Sequence, residues 1–322
     1  MRKNSVMSVA RSIAAATCVV AVGLVALPSA SQAATAQGRK APELYLSLGD
    51  SYSIGYQPPS GTSPGGGSPG YTALVATKER MTLENFGCGG ATTSSIVNSV
   101  GCSDPAATDA VAYPNTIQEQ AAVDFIAEPA NAGRVGLITI SIGGNDVTGC
   151  ASAGSLAAVV ACVNAADASI TTNVTALVSS LNTALTSARD TAKVVGLTYP
   201  DVILGSYVDP GGSGGQALAS ESVLAFDDLI NPTLKSAYTN GVPNGLFVNV
   251  TSAPFNRATT GDDSDVTGAP LYILRPYGKI PPAVWEVCKL TYFCSQLNIH
   301  ANTQGYRFIG KLIVAALHSA EG

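Results

Sequence analysis

The chain is poor in the residues that many functions require. It has only two histidines in 322 residues and no Cys-x-x-Cys pair. That leaves too few ligands for a zinc-type metal site. Lys and Arg number 17 against 22 acidic residues, a formal net charge of −5. So little basic charge gives no evident grip on nucleic acid or on an anionic membrane. No internal repeat is visible, which argues against a stacked-repeat architecture. Beyond the N-terminus, no segment reads as long and apolar enough to span a bilayer.

The N-terminus itself reads as a targeting segment. Arg2, Lys3 and Arg11 precede an apolar run from Ile13 to Leu27, then Pro28 and the small residues before Ala33. A run of about 15 residues is short of the ~20 that a spanning helix needs. Residues 1–33 are therefore expected to be a signal peptide cut after Ala33, with Ala36 as a second cleavage position. Residues 34–42 would be a short leader and 43–322 a single domain, secreted. Cleavage removes three basic residues and no acidic one, which moves the formal charge from −5 to −8.

Six cysteines remain after Cys18 is removed with the leader. An even number in an exported chain argues for disulfides. Their spacing suggests neighbouring pairs: Cys88–Cys102, Cys150–Cys162 and Cys288–Cys294.

Apolar strands alternate with helical patterns along the chain. Strands are expected at Leu44–Leu48, Thr82–Phe86, Val135–Ile142, Lys193–Thr198 and Leu246–Val250. Helices are expected at 69–80, 117–127, 167–191, 221–238 and 303–318. Ile170, Val174, Leu177, Val178, Leu181 and Leu185 fall at the helical period. Residues 251–298 read as irregular, with an acidic cluster at Asp262, Asp263 and Asp265. A Gly/Pro/Ser loop runs from 57 to 70. The alternation predicts an α/β fold with a mainly parallel sheet covered on both faces.

The first strand stops at Gly49-Asp50-Ser51. A serine at a strand's C-terminal end sits where open α/β sheets bind ligands. To act as a nucleophile, Ser51 needs a base and donors for an oxyanion. His318 reads as a solvated residue at a helix end, so His300, in the loop Asn298-Ile299-His300-Ala301-Asn302, is the base by elimination. Asn145 follows the strand Val135–Ile142 through Gly143-Gly144 and can face the same mouth. The Gly87–Gly90 turn can offer a free N–H. Ordinary turns would look similar, but both donor turns, like Ser51, fall at expected strand ends.

These blocks resemble the SGNH hydrolases, also called GDSL esterases and lipases. Gly49-Asp50-Ser51-Tyr52-Ser53, Asn85 to Thr92, Gly143-Gly144-Asn145-Asp146 and His300-Ala301-Asn302-Thr303-Gln304-Gly305-Tyr306 come in family order. The resemblance implies Ser51 as nucleophile and His300 as base. It implies an oxyanion hole from the N–H groups of Ser51 and Gly90 and the Asn145 side chain. It also implies a flavodoxin-like three-layer α/β/α fold without cofactor or metal. The expected partner is a small-molecule or lipid ester, taken by a monomer with no nucleic acid and no stable membrane anchor. Acetylated carbohydrate is the alternative substrate, and a binding module on an inactive scaffold is the rival class.

One position departs from the family. Leu297 and Asn298 stand where an acid would precede the histidine, and neither is a carboxylate. The expectation is a Ser51–His300 dyad. The imidazole N–H would donate to the Leu297 backbone carbonyl, or alternatively to the Asn298 side chain. An acid from 262–265 is a further possibility. Three Gly-x-Ser-x-Gly patterns are decoys. Those at 61–65 and 66–70 place Pro after the serine, which removes an N–H. Ser213, in the third, lacks a preceding strand.

Overall fold

The computed structural model of the chain describes residues 43–58, 70–102, 110–209, 213–250, 266 and 271–319. The proposed signal peptide and leader, the acidic cluster and most of the Gly/Pro/Ser loop lie outside the described residues, as do the two Pro-containing decoys.

The sheet has five parallel strands: β1 (Leu44–Gly49), β2 (Thr82–Asn85), β3 (Val135–Ser141), β4 (Lys193–Leu197) and β5 (Gly245–Val248). Their order is β2-β1-β3-β4-β5. Every residue of β1 is buried, and β3 and β4 are nearly so. Continuous apolar runs suit central strands covered on both faces, whereas β2 and β5 lie at the edges and are only partly covered.

Helix α1 (Tyr71–Glu79) packs with the C-terminal helix α10 (Thr303–Ser319). The long helix α5 (Leu156–Ala188) contacts α2 (Thr93–Asn98), α3 (Gln118–Ala127) and α7 (Asn231–Gly241). The result is a three-layer α/β/α fold with the flavodoxin-type strand order. The chain leaves β1 toward β2 on one side, and β3 flanks β1 on the other. That reversal opens a crevice at the strands' C-terminal ends, between β1 and β3.

Ile170, Val174, Leu177, Val178 and Leu181 of α5 are fully buried along one stripe. Burying each such side chain contributes about 1.5–3 kcal/mol. Ser155 caps the helix by accepting from the Ala158 N–H. The helix begins eleven residues before the expected Asp167, because periodicity is diluted by alanine in its first turns. Ala157–Ala188 is also long and apolar enough, by length and composition, to cross a membrane. That corrects the expectation of no such later segment. Here the helix turns the stripe from Ile170 to Leu181 to the core and exposes Val160, Asn164, Ser169, Thr171 and Thr172.

One further region extends an expectation and another departs from it. The span 221–238 is helical throughout, as expected, and the helix runs past both ends: α6 (Ser213–Leu224) passes through a wide π turn at Ala225–Ile230 into α7, which carries Pro232. Pro232 directly follows the π turn, and a π turn is one of the places where a helix gives up its regular i→i−4 bonds. Residues 271–297 are ordered. They form an antiparallel hairpin, β6 (Tyr272–Leu274) and β7 (Gly278–Ile280), then α8 (Pro282–Leu290) and α9 (Phe293–Gln296).

Candidate active site

Strand β1 ends on Gly49, whose φ of +131° disfavours any L side chain. A Cβ there would lie 2.0 Å from the Ser141 carbonyl oxygen. Close approach lets the Asp50 N–H donate to that oxygen at 3.1 Å, which joins the ends of β1 and β3. Asp50 then turns the chain. Its Oδ1 accepts from the Tyr52 N–H (2.9 Å), and its carbonyl accepts from the Ser53 N–H (3.1 Å). Ser51 rides on this turn, buried, with a backbone N–H that donates to no acceptor among the described residues.

Gln118 holds the turn from behind. The Gly49 N–H donates to its Oε1 (2.7 Å), and its Nε2 donates to the Gly49 carbonyl (3.1 Å). The amide thus acts as an extra strand residue at the end of β1. Sequence reasoning missed Gln118. Its partner is a backbone peptide 69 residues away, and no motif announces such a contact.

Gly90 lies in a left-handed turn (φ +72°), exposed, and its N–H also donates to no acceptor among the described residues. The turn is fastened to Ser51's segment. Asn85 donates from Nδ2 to the Ser53 carbonyl (3.1 Å), and the Cys88 N–H donates to the Gly49 carbonyl (3.0 Å). Cys88 and Cys102 form a disulfide, as do Cys150 with Cys162 and Cys288 with Cys294.

After β3, Gly143 and Gly144 lead into α4 (Gly144–Thr148). A Cβ on Gly144 would overlap the Tyr199 ring at 2.0 Å. Asn145 follows. Its Nδ2 donates to the Ala91 carbonyl at 2.8 Å and makes a long contact of 3.4 Å with Asp50 Oδ2. One amide hydrogen is firmly held, and the other is only weakly engaged, between the Gly90 turn and the Ser51 turn. Asp146 secures α2 by accepting from the N–H and hydroxyl of Thr93 (2.9 and 2.6 Å). Asp50 is fully buried, and burial pushes its carboxyl up to about 7, against the opposing pull of the Tyr52 N–H and the Tyr199 hydroxyl.

His300 lies over the serine turn. Its ring packs 4.4 Å from that of Tyr56 and 6.0 Å from that of Tyr52, centroid to centroid. The Tyr52 hydroxyl donates to the Ile299 carbonyl (2.6 Å), and the Tyr306 hydroxyl to the Tyr56 carbonyl (2.7 Å). Tyr292 reaches Gln57 Oε1 at 2.8 Å. These bonds tie together segments about 250 residues apart in sequence. Ser51 and His300 are not hydrogen-bonded in this structure. Such bonds are often long in free enzymes and tighten with substrate.

The group that meets the imidazole is Asn298, not the Leu297 carbonyl expected first. Leu297 ends α9 in a left-handed conformation (φ +52°), with its own N–H bonded to the Phe293 carbonyl. That turn swings Asn298 back, so that its Oδ1 accepts from the His300 N–H (3.1 Å) and lies 2.7 Å from Nδ1. A backbone N–H can only donate, so the facing amide atom is the oxygen. Nδ1 must then carry the ring proton, and Nε2 keeps its lone pair. Desolvation by burial lowers the His300 pKa to about 4. His318, at the end of α10, faces Glu79 at 3.3 Å instead.

Among the described residues, no group of His, Cys, Asp and Glu could hold a metal ion. No family model matches the chain, and no curated protein matches it. Solved structures do. An extracellular lipase from Streptomyces rimosus is 21% identical, with 85% of this chain and 99% of that one covered and a TM-score of 0.44. A phospholipase A1 from Streptomyces albidoflavus is 20% identical, covers 86% and 100%, and has a TM-score of 0.42. An acetylxylan esterase from Geobacillus stearothermophilus is 15% identical, covers 85% and 94%, and has a TM-score of 0.41. Likeness at this level carries no weight for the chemistry, which rests on the residues of the site.

Proposed function

We propose that the chain is a secreted serine ester hydrolase of the SGNH type, working through an acyl-enzyme on Ser51. The carrying observation is the placement of His300: its ring packs beside Tyr52 and Tyr56 of the Ser51 segment, and the Asn298 Oδ1 that accepts from its backbone N–H lies 2.7 Å from Nδ1. The free Nε2 lone pair is what a general base needs.

In this reading Nε2 takes the Ser51 hydroxyl proton as Oγ bonds to the ester carbonyl carbon. The carbonyl oxygen becomes an anion, received by the N–H groups of Ser51 and Gly90 and by the Asn145 amide. Collapse breaks the bond to the alcohol oxygen, and Nε2 returns the proton to it. Water repeats the sequence and frees the acid. Asn298 orients the ring but supplies no negative charge, so the imidazolium gains less than a carboxylate would give. Each such oxyanion donor is worth about 10²–10³ in kcat.

The test is turnover of a water-soluble p-nitrophenyl ester by the unaltered protein and by the Ser51→Ala, His300→Ala and Ser213→Ala variants. The first two abolish turnover, and a serine-directed phosphonate blocks the unaltered protein. Loss with Ser213→Ala and retention with Ser51→Ala would overturn the assignment. Absence of turnover by the intact protein on any ester of a chain-length series would leave a binding module.

A further inference from the structure

The hairpin β6–β7 shows an apolar surface that the site does not use. Leu271, Tyr272 and Ile273 are consecutive, and 51%, 46% and 72% of their surfaces are exposed. Consecutive strand residues point to opposite faces, so both faces of this small sheet present apolar groups. Soluble surfaces tolerate scattered apolar side chains but rarely three large ones in a row.

The charge around this patch differs from that of the whole chain. Arg275 and Lys279 are exposed on the hairpin, and Lys289 is exposed on α8. Between residues 271 and 290 the one acidic residue is Glu286, which is buried. The mean charge of an acidic protein thus conceals a local basic edge beside an apolar tip. An aromatic group completes it. Trp285 of α8 lies 6.4 Å from Tyr272, with Lys289 over its ring at 4.6 Å. Apolar residues flanked by Trp, Tyr and basic side chains match the boundary between acyl chains and head groups.

The hairpin is also fastened to the catalytic loop. Tyr277 donates its hydroxyl to the Cys294 carbonyl on α9. Cys294 is bonded to Cys288 of α8, and α9 leads through Leu297 directly to His300.

We propose that the β6–β7 hairpin is a reversible docking element for an anionic lipid surface, inserting Leu271, Tyr272 and Ile273 while Arg275, Lys279 and Lys289 meet the head groups. Docking there would bring the loop that carries His300 to the lipid boundary and favour esters presented in aggregates. That last step rests on the ester-hydrolase reading, whereas the docking itself does not.

Trp285 is the single tryptophan of the chain and therefore reports on the patch directly. The experiment uses the Ser51→Ala protein, so that binding is scored without turnover, with phosphatidylcholine vesicles made with and without phosphatidylglycerol. The expected result is co-sedimentation and a blue shift of Trp285 emission, stronger with phosphatidylglycerol. Adding Ile273→Glu weakens binding about tenfold or more. Adding Arg275→Glu with Lys279→Glu removes the preference for phosphatidylglycerol.

In the background with Ser51 intact, Ile273→Glu leaves kcat/KM on a water-soluble short ester unchanged and lowers turnover of the same acyl group in vesicles. Unchanged soluble turnover also shows that the variant folds. Absence of vesicle binding, or binding unaffected by Ile273→Glu, overturns the proposal. A dimer in solution that Ile273→Glu dissociates would do so too, by assigning the hairpin to a second copy. A protein that binds vesicles but hydrolyses no ester would sink the function proposed above and leave the docking surface standing.

Discussion

The Asn298 side-chain oxygen serves His300 twice, accepting from its backbone N–H at 3.1 Å and meeting its ring Nδ1 at 2.7 Å. The first bond makes the second unambiguous, because it fixes which face of the amide points at the ring. An asparagine in this place otherwise risks turning its NH₂ to the imidazole and putting the proton on the wrong nitrogen.

Replacing Asn298 therefore separates orientation from charge. Asn298→Ala removes both bonds and frees the ring to choose its tautomer. kcat falls by about 10²-fold, while KM for a small ester changes little. Asn298→Asp keeps both acceptor contacts and adds a charge that stabilises the imidazolium, so its kcat stays near or above that of the unaltered protein. Steady-state kinetics on one soluble ester decides. An Asn298→Ala protein with normal kcat would remove Asn298 from the mechanism.

The second prediction concerns pH. Burial lowers the pKa of His300 to about 4. In the proposed role His300 acts as a base only when neutral, so kcat/KM should hold as pH falls from 7 and halve near pH 4. The sign is the same for folding: the native state disfavours the proton, so His300 costs stability as pH falls from 6.5 toward 4. In Asn298→Asp the added carboxylate favours the imidazolium and moves the kinetic limb up by about 1–3 units. A pH–rate profile read with a pH-independent chromophore checks both. An unaltered protein whose acid limb already stands near 6.5 would contradict the burial argument.

Much of this was legible in the sequence, for physical reasons that differ by element. β1, β3 and β4 are covered on both faces, so they read as unbroken apolar runs. α5 could be read where branched residues recur at the helical period, but not in its alanine-rich start. The hairpin and α8 look irregular in sequence. Their strands have only three residues each, and Pro281-Pro282 looks like a break although proline suits a helix's first turn. Ser51 and Asn145 stand out because each follows the end of a central strand, and His300 because only one other histidine competes with it. Asn298 could be named only as an alternative to the Leu297 carbonyl, since the left-handed turn that decides between them leaves no composition signal.

Gln118 supplies the third prediction. Its buried amide satisfies both the N–H and the C=O of Gly49, two residues before Ser51. Gln118→Leu fills a similar volume but leaves the Gly49 N–H unpaired, at a cost of about 1–3 kcal/mol. The same change loosens the turn that aims the Ser51 hydroxyl and N–H, so kcat should fall while KM holds. Gln118→Glu can still accept from the N–H and should keep more activity than Gln118→Leu. Chemical denaturation and kinetics on the two variants test this. Equal, purely structural losses, with kcat per folded molecule unchanged, would make Gln118 a packing residue only.

The disulfides allow the last prediction. Cys288–Cys294 spans six positions of sequence, and a link that short contributes only about 2 kcal/mol through chain entropy. That is a modest part of the 5–15 kcal/mol typical of a folded domain. Its local effect is larger, because it closes the α8–α9 turn against which the His300 loop is laid. The Tyr292 N–H donates to the His300 carbonyl (2.9 Å), and the Asn302 N–H donates to the Leu290 carbonyl (2.9 Å). Joint Cys288→Ser and Cys294→Ser replacement should therefore lower Tm by only about 4–8 °C, yet reduce kcat several-fold at a temperature where the protein stays folded. The Cys150→Ser and Cys162→Ser pair, at the start of α5, should cost comparable stability with less effect on kcat. Calorimetry and initial rates on both pairs separate the two effects. If activity and Tm fall in the same proportion for both, the His300 loop owes nothing special to its disulfide.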